Sequence, residues 1–174
     1  MIHTERLILR SPVDADRPAL HAIWADPVTM ADLGPVKSAA DSDATLARHA
    51  GYGPDLGFYA VVRRADDAVI GFCGLKPGPP DTPIAGELEA GWLIARSCWR
   101  QGYASEAMRA VLDRGWSTTQ AARIVAITAR RNAKSRAMMA RLGMSHQPAL
   151  DFLHPQFAAD DPLADIVTYT LARS

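Results

Sequence analysis

Two stretches of this chain combine residue types that handle anions and protons. The first is Trp99-Arg100-Gln101-Gly102-Tyr103-Ala104-Ser105-Glu106. It links an apolar run to a strongly periodic one, so its glycine-containing turn opens a helix. The first amides of a helix have no internal partner and the helix dipole adds positive charge, so such a start attracts an anion. Gly102 and Ala104 leave room for a diphosphate, and Arg100 adds a charged donor. An ordinary strand-to-helix turn uses a glycine in the same way. No Gly-Lys-Ser/Thr follows, which argues against a kinase-type phosphate loop, and Gly-x-Gly-x-x-Gly is absent, which argues against a dinucleotide fold. The second stretch is Asn132-Ala133-Lys134-Ser135, followed by Met138-Met139-Ala140-Arg141-Leu142-Gly143-Met144. Asn132 and Ser135 lie three residues apart at a helix start, a spacing that suits a helix cap or polar contacts to a bound molecule.

The surrounding pattern supplies elements to hold these stretches. Arg6 to Arg10 reads as a strand ended by Ser11-Pro12. Asp14 or Asp16 caps a helix with Leu20, Ile23 and Trp24 on one face, stopped before Pro27. A weaker helix covers about Ser42 to Ala50. Phe58 to Arg64 and Val69 to Lys76 form a hairpin around Ala65-Asp66-Asp67-Ala68. Pro77-Gly78-Pro79-Pro80-Asp81 is a rigid loop, and Glu87 to Ala95 is a further strand. Ala104, Ala107, Met108, Val111, Leu112 and Gly115 carry the helical period. Arg123 to Ala129 is a strand. Asn132 leads a short helix with Met138, Met139 and Leu142 on one face, ended by Gly143. Residues 145–164 read as a long loop with one short strand, and Ile166 to Leu171 closes the chain as a strand. The expected architecture is a mixed α/β (α+β), mostly antiparallel sheet flanked by helices, in one domain over residues 1–174.

Composition limits the options. With 174 residues, 48% of them hydrophobic and 22% charged, the chain can bury a sizeable core and is not broadly disordered. No apolar run is long enough to span a bilayer, and the N-terminus carries no secretory pattern. Cys73 and Cys98 form neither a disulfide framework nor a metal site, and the expectation is a reducing cytoplasm. Net charge is zero but uneven: residues 89–142 carry 10 basic and 3 acidic side chains. A solvated surface accounts for such a block, and so does an anionic partner. Few aromatics interleave with it, which disfavours nucleic acid.

Taken together in order, these motifs resemble the GNAT superfamily of acetyl-CoA-dependent N-acetyltransferases, more narrowly its Rim-type branch, which includes enzymes acetylating ribosomal-protein N-termini. Thr4-Glu5-Arg6-Leu7-Ile8-Leu9-Arg10 is similar to that branch's opening strand, Ile70-Gly71-Phe72-Cys73-Gly74-Leu75 to its third and Glu89-Ala90-Gly91-Trp92 to its fourth. Gln101 to Ala107 is similar to its pyrophosphate loop, and Asn132-x-x-Ser135 with Arg141-Leu142-Gly143-Met144 to its later helix. The pattern departs at Trp99, where Gln or Arg is usual, and at Arg100, often Gly. It departs again at Met139, where many members carry tyrosine.

The resemblance implies that the fourth and fifth strands splay and admit the pantetheine arm of acetyl-CoA beside Leu93, Ile94 and Ala95. Arg100, Gln101, Gly102, Tyr103, Ala104 and Ser105 would hold the diphosphate, with Asn132 and Ser135 completing the cosubstrate site. The basic segment would meet the coenzyme's phosphates, and no metal is called for. Catalysis then needs a neutral amine, a donor for the oxyanion and a proton for the thiolate. Glu89 is the candidate base; a structural carboxylate is the alternative. The Ile94 amide is the candidate oxyanion donor. Because Met139 has no proton to give, Ser135 is the candidate acid, with a helix-start role as its alternative. Cys98 is not marked as a nucleophile. Trp24, Tyr59 and Trp92 fit core packing or the acceptor pocket. His3, His21 and His49 read as surface residues, and His154 as a turn residue or part of the acceptor mouth. The acceptor is a small-molecule amine or a protein N-terminus, with a homodimer left open. A non-catalytic acyl-CoA-binding or interaction module is the competing reading.

Overall fold

A computed structural model describes residues 1–53 and 55–173. The strands are β1 (Ile2–His3), β2 (Leu7–Arg10), β3 (Gly57–Arg63), β4 (Ala68–Pro77), β5 (Leu88–Ile94), β6 (Arg123–Ala129), β7 (Ser145–His146), β8 (Phe152–Leu153) and β9 (Asp165–Ala172). The helices are α1 (Arg17–Ala25), α2 (Pro27–Met30), α3 (Ala39–Ala50), α4 (Tyr103–Thr118) and α5 (Ala133–Arg141). One sheet runs β1-β2-β3-β4-β5-β6-β9-β7, with β8 paired to β9. Every pairing is antiparallel except β5 with β6.

The expected elements are present, with local differences that have simple causes. α1 ends at Ala25, but Pro27 starts α2 instead of only stopping α1. Asp26 caps that new helix by accepting from the amides of Val28 and Thr29, and proline suits a first helical turn. α3 begins three residues before Ser42 because Ser38 and Asp41 form a capping box. The segment 145–164 holds two short strands, since both β7 and β8 pair with β9.

The two faces of the sheet bury separate clusters. α4 and α5 cover one face, where Leu7, Leu9, Cys73, Ala90, Ile94, Met108, Val111, Met138 and Met139 share a cluster. α1 and α3 cover the other, with Leu20, Ile23, Trp24, Leu46 and Phe72. His49 belongs to this second layer. It is 7% exposed and packs against Phe58, Phe72 and Tyr52, which corrects its expected place at the surface. The helical spacing Ser42, Thr45, Leu46, His49 already marks that inward stripe. His21 is half-buried against Ser42, and His3 is exposed as expected.

The motif Ile70-Gly71-Phe72-Cys73-Gly74-Leu75 is explained by strand packing. A side chain at Gly74 would run into the Gly57 carbonyl oxygen, and one at Gly71 into the Leu93 carbonyl. Both obstacles are main chain in the neighbouring strands, so neither can swing aside. Gly74→Ala should therefore cost about 1–3 kcal/mol of stability, read by chemical denaturation.

Burial and the neighbouring cations Arg48, Lys76 and Lys37 push the His49 imidazole down to about 4. In the unfolded chain it titrates near 6.5. As pH falls below about 6.5 the unfolded chain takes up this proton first, so His49 makes stability decline until about pH 4. His49→Phe should flatten melting temperature against pH across that window; an unchanged slope would mean other groups govern it.

Candidate functional site

The site begins where β5 and β6 part. Their parallel ladder pairs only Leu88 with Ile124 and Glu89 with Val125, although β5 continues to Ile94 and β6 to Ala129. Beyond Glu89 no further pairing joins the two strands among the described residues, and this is where the splay is expected. The β4–β5 ladder decides which β5 groups face the opening. Gly78 donates to the Glu87 carbonyl and Ala95 to the Ile70 carbonyl, each at 2.8 Å. Because bonded pairs alternate in an antiparallel ladder, Glu89, Gly91 and Leu93 spend their main-chain groups on β4, and those of Trp92 and Ile94 point into the gap. This corrects the expected set: Leu93 and Ala95 do not offer main-chain bonds there. Ile94 does, and its carbonyl already accepts the Trp99 indole N–H at 2.7 Å.

The turn before α4 adopts an unusual backbone. Arg100 and Gly102 both have left-handed φ, +60° and +83°. No side chain caps Gly102, so the amides of Tyr103, Ala104 and Ser105 lie open at the start of a 16-residue helix. Arg6 braces the turn from the sheet. Its guanidinium donates to the Gln101 carbonyl at 2.9 Å, lies 4.5 Å over the Tyr103 ring and pairs with Glu106 at 2.7 Å. Thr4 and the Arg6 amide also donate to Glu106, at 2.5 and 2.8 Å. The opening motif thus acts as a clamp on α4. Gly102 has φ +83°, which favours glycine, and a side chain there would also lie 3.3 Å from the Arg6 guanidinium. The Tyr103 side chain is buried, leaving its amide as the available group, while Arg100 is exposed.

Trp99, the departure from the expected pattern, lies across the opening. Its indole bonds β5 on one side, and the Lys134 ammonium of α5 sits 4.4 Å above its ring on the other. Asn132 caps α5. Its carbonyl oxygen accepts from the Ser135 amide at 3.1 Å, and its amide donates to Thr128 at 2.9 Å and Ser135 Oγ at 3.1 Å. Asn132 is 3% exposed and both its carbonyl and its amide are engaged inside the chain, so its cap role is realised. Ser135 is half-buried, and its Oγ receives a hydrogen bond from Asn132, so its own O–H is available to donate. Met139 is 1% exposed in the core.

Glu89 projects from the other face of β5. It is 7% exposed and pairs with Lys76, its cross-strand neighbour on β4. Burial raises its carboxyl and the Lys76 ammonium opposes that rise. Lys76 bonds Oε2; Oε1 has no partner among the described residues. Lys76 was not singled out from the sequence, where it is one lysine at the end of a strand. Only the register, which sets it opposite Glu89, gives it meaning. On this face Phe58 fills the space over Gly91, and the His49 ring lies 4.3 Å from Phe58. His154 stabilises its own turn, accepting from the Gln156 amide at 3.2 Å and packing beside Phe152 and Phe157. Trp24 is core, Tyr59 and Trp92 are half-buried against the α4-side cluster, and Cys98 is buried.

Much of the basic segment is paired within the chain. Arg114 binds Asp55, Arg123 binds Glu87, Arg130 binds Asp151 and Asp165, and Arg131 binds Asp32. Arg96, Arg100 and Arg109 form no ion pair among the described residues. A cavity of about 530 Å³ lined by Arg17, Leu46, His49, Phe58 and Tyr59 lies between α3 and the start of β3.

Comparison with known proteins agrees with this arrangement. The chain is 28% identical over 135 residues to the uncharacterized N-acetyltransferase p20 of Bacillus licheniformis, covering 72% of this chain and 71% of that one. Its fold is similar to a GNAT-family acetyltransferase from Bacillus anthracis, with a TM-score of 0.80, 22% identity and coverage of 98% and 97% of the two chains. It is also similar to spermidine N-acetyltransferase from Vibrio cholerae in complex with CoA and spermine, with a TM-score of 0.74, 17% identity and coverage of 97% and 96%. The family model for the acetyltransferase (GNAT) domain matches residues 6–145, and the chain therefore belongs to the GNAT acetyltransferases.

Proposed function

We propose that this enzyme transfers the acetyl group of acetyl-CoA to a primary amine by direct attack on the thioester, in the manner of the Rim-type branch. The observation that carries this is the position of the gap. On one face of the sheet it adjoins the open amides of α4, and on the other the buried carboxylate of Glu89. The cosubstrate would lie on the α4 face, with its diphosphate at residues 100–105 and its arm beside Ile94. The amine would enter from the α1/α3 face.

Glu89 Oε1 would take the proton as the amine nitrogen bonds to the acetyl carbon. The Ile94 amide would donate to the carbonyl oxygen as charge collects there. The carbon–sulfur bond then breaks, and the thiolate takes a proton relayed by Ser135 from water. The Lys76 ammonium opposes the effect of burial and so favours the ionised carboxylate that would accept the proton.

Thiol release from acetyl-CoA with a panel of amines tests the chemistry. Glu89→Gln should lower kcat by about 100-fold or more while leaving acetyl-CoA binding near the parent's. Removing the cation raises the pKa of Glu89, so Lys76→Met should move the acid limb of the kcat/KM profile to higher pH. An unmoved limb would remove Glu89 as the base. Ser135→Ala should slow the chemical step by about tenfold with little change in melting temperature, because Asn132 still caps the Ser135 amide. Normal turnover per folded molecule with lowered stability would assign Ser135 to the helix start alone.

A further inference from the structure

Strand β2 stops short of the start of β3, and Pro12 is the reason. Arg64 donates to the Arg6 carbonyl at 2.9 Å, so bonded pairs continue at Ile8–Val62 and Arg10–Ala60, and the even-numbered β3 residues turn their main chain toward β2. Two residues on, Phe58 would face Pro12, which has no N–H to give, and β2 ends at Arg10. Phe58 does not bond β4 instead, because Gly74 opposite it spends its main-chain groups on β5. Its N–H and carbonyl therefore point past the end of β2, and no strand pairs with them there among the described residues.

This free edge borders the cavity of about 530 Å³, which Pro12 and Val13 line from one side, Phe58 from the other, and Leu46 and His49 from α3. Such a volume suits a small ligand. His49 is 7% exposed, its ring lies 4.3 Å from that of Phe58, and its Nδ1 is buried with no hydrogen-bond partner among the described residues. An orphaned nitrogen costs stability until something bonds it. The charged lining residues are Asp14 and Arg17, both exposed; they pair with each other at 3.0 Å, and Arg17 pairs with Asp43 as well. Lys37, Arg48 and Lys76, the cations that act on His49, do not line the cavity. A charged group moving in past the rim would lose its hydration without gaining a partner.

We infer that this cavity binds an uncharged peptide unit, an N-acylated amino-acid amide, whose N–H and carbonyl pair with those of Phe58 and whose apolar side chain ends in a hydroxyl. The unit lengthens the sheet edge by one residue beyond β2. Its side chain lies on the same face as the Phe58 ring, the face on which Leu46 packs. A hydroxyl both donates and accepts, so it completes Nδ1 whichever ring nitrogen carries the proton. The site is separate from the β5–β6 gap and does not depend on the transfer reading. The Phe58 ring links the two, since it also covers Gly91 on the Glu89 face.

The experiment titrates the full chain calorimetrically with N-acetyltyrosinamide, which should bind. N-acetylphenylalaninamide, which lacks only the hydroxyl, should bind about three- to tenfold more weakly. N-acetyltyrosine, with a carboxylate in place of the amide, should also bind more weakly. His49→Phe should bring the two amides to equal affinity. Ala50→Trp puts a ring at the exposed α3 rim of the cavity and should abolish binding, which covers the case in which His49→Phe folds poorly. Saturating CoA should leave the affinity unchanged. No binding by the parent, equal affinities among the three compounds, or binding retained by folded Ala50→Trp overturns the inference. Loss of binding on adding CoA places the ligand in the gap and overturns it too. No turnover is read, so a failure of acetyl transfer leaves this inference standing.

Discussion

The architecture turns on one parallel strand pair that does not last. β5 and β6 stay together for two residue pairs and then diverge, while each remains fully paired on its outer side, to β4 and β9. Divergence leaves strand main chain without a partner, which is costly in a buried sheet unless something else bonds it. Here the Trp99 indole takes the Ile94 carbonyl. The remaining unpaired groups of Trp92 and Ile94 are the opening's main chemical resource. A flexible side chain offers such groups less predictably than a strand fixed by its neighbour.

The helix next to this opening must keep its start exposed, and an uncapped start is unstable by itself. The chain solves this from a distance. Thr4 and Arg6, at the head of β2, hold Glu106 in the first turn of α4, and Arg6 also holds the Gln101 carbonyl. Restraint therefore comes from the side of the helix, and its amides stay open. A similar division appears at α5, where Asn132 is consumed as a cap and the Ser135 hydroxyl is left with a proton to donate.

On the opposite face, the burial of Glu89 and its pairing with Lys76 act against each other. Burial favours the protonated acid, and the ammonium favours the carboxylate. A buried pair of this kind adds little net stability, because desolvation offsets most of the attraction. The net direction is upward, so burial outweighs the ammonium in setting the Glu89 carboxyl.

The order of elements, the helical period of α4, the paired glycines of β4 and the turn at Gly102 were all legible in the sequence, because each depends on residues close along the chain. Those local signals sufficed for the fold class and the family resemblance. They did not separate the strand parity that sends Ile94 to the gap and Leu93 to β4, which is decided by the register with another strand. They placed His49 at the surface, although its stripe on α3 faces a layer of aromatic rings from β3 and β4. They passed over Lys76, and they did not choose between the cap and ligand roles of Asn132, whose amide and carbonyl are both bonded within the chain. Each of these depends on contacts between distant segments. The sequence by itself determined which elements form and which chemistry they carry; only the tertiary structure decided which groups remain free to perform it, because a donor or a charge is available only when no other part of the chain has already engaged it.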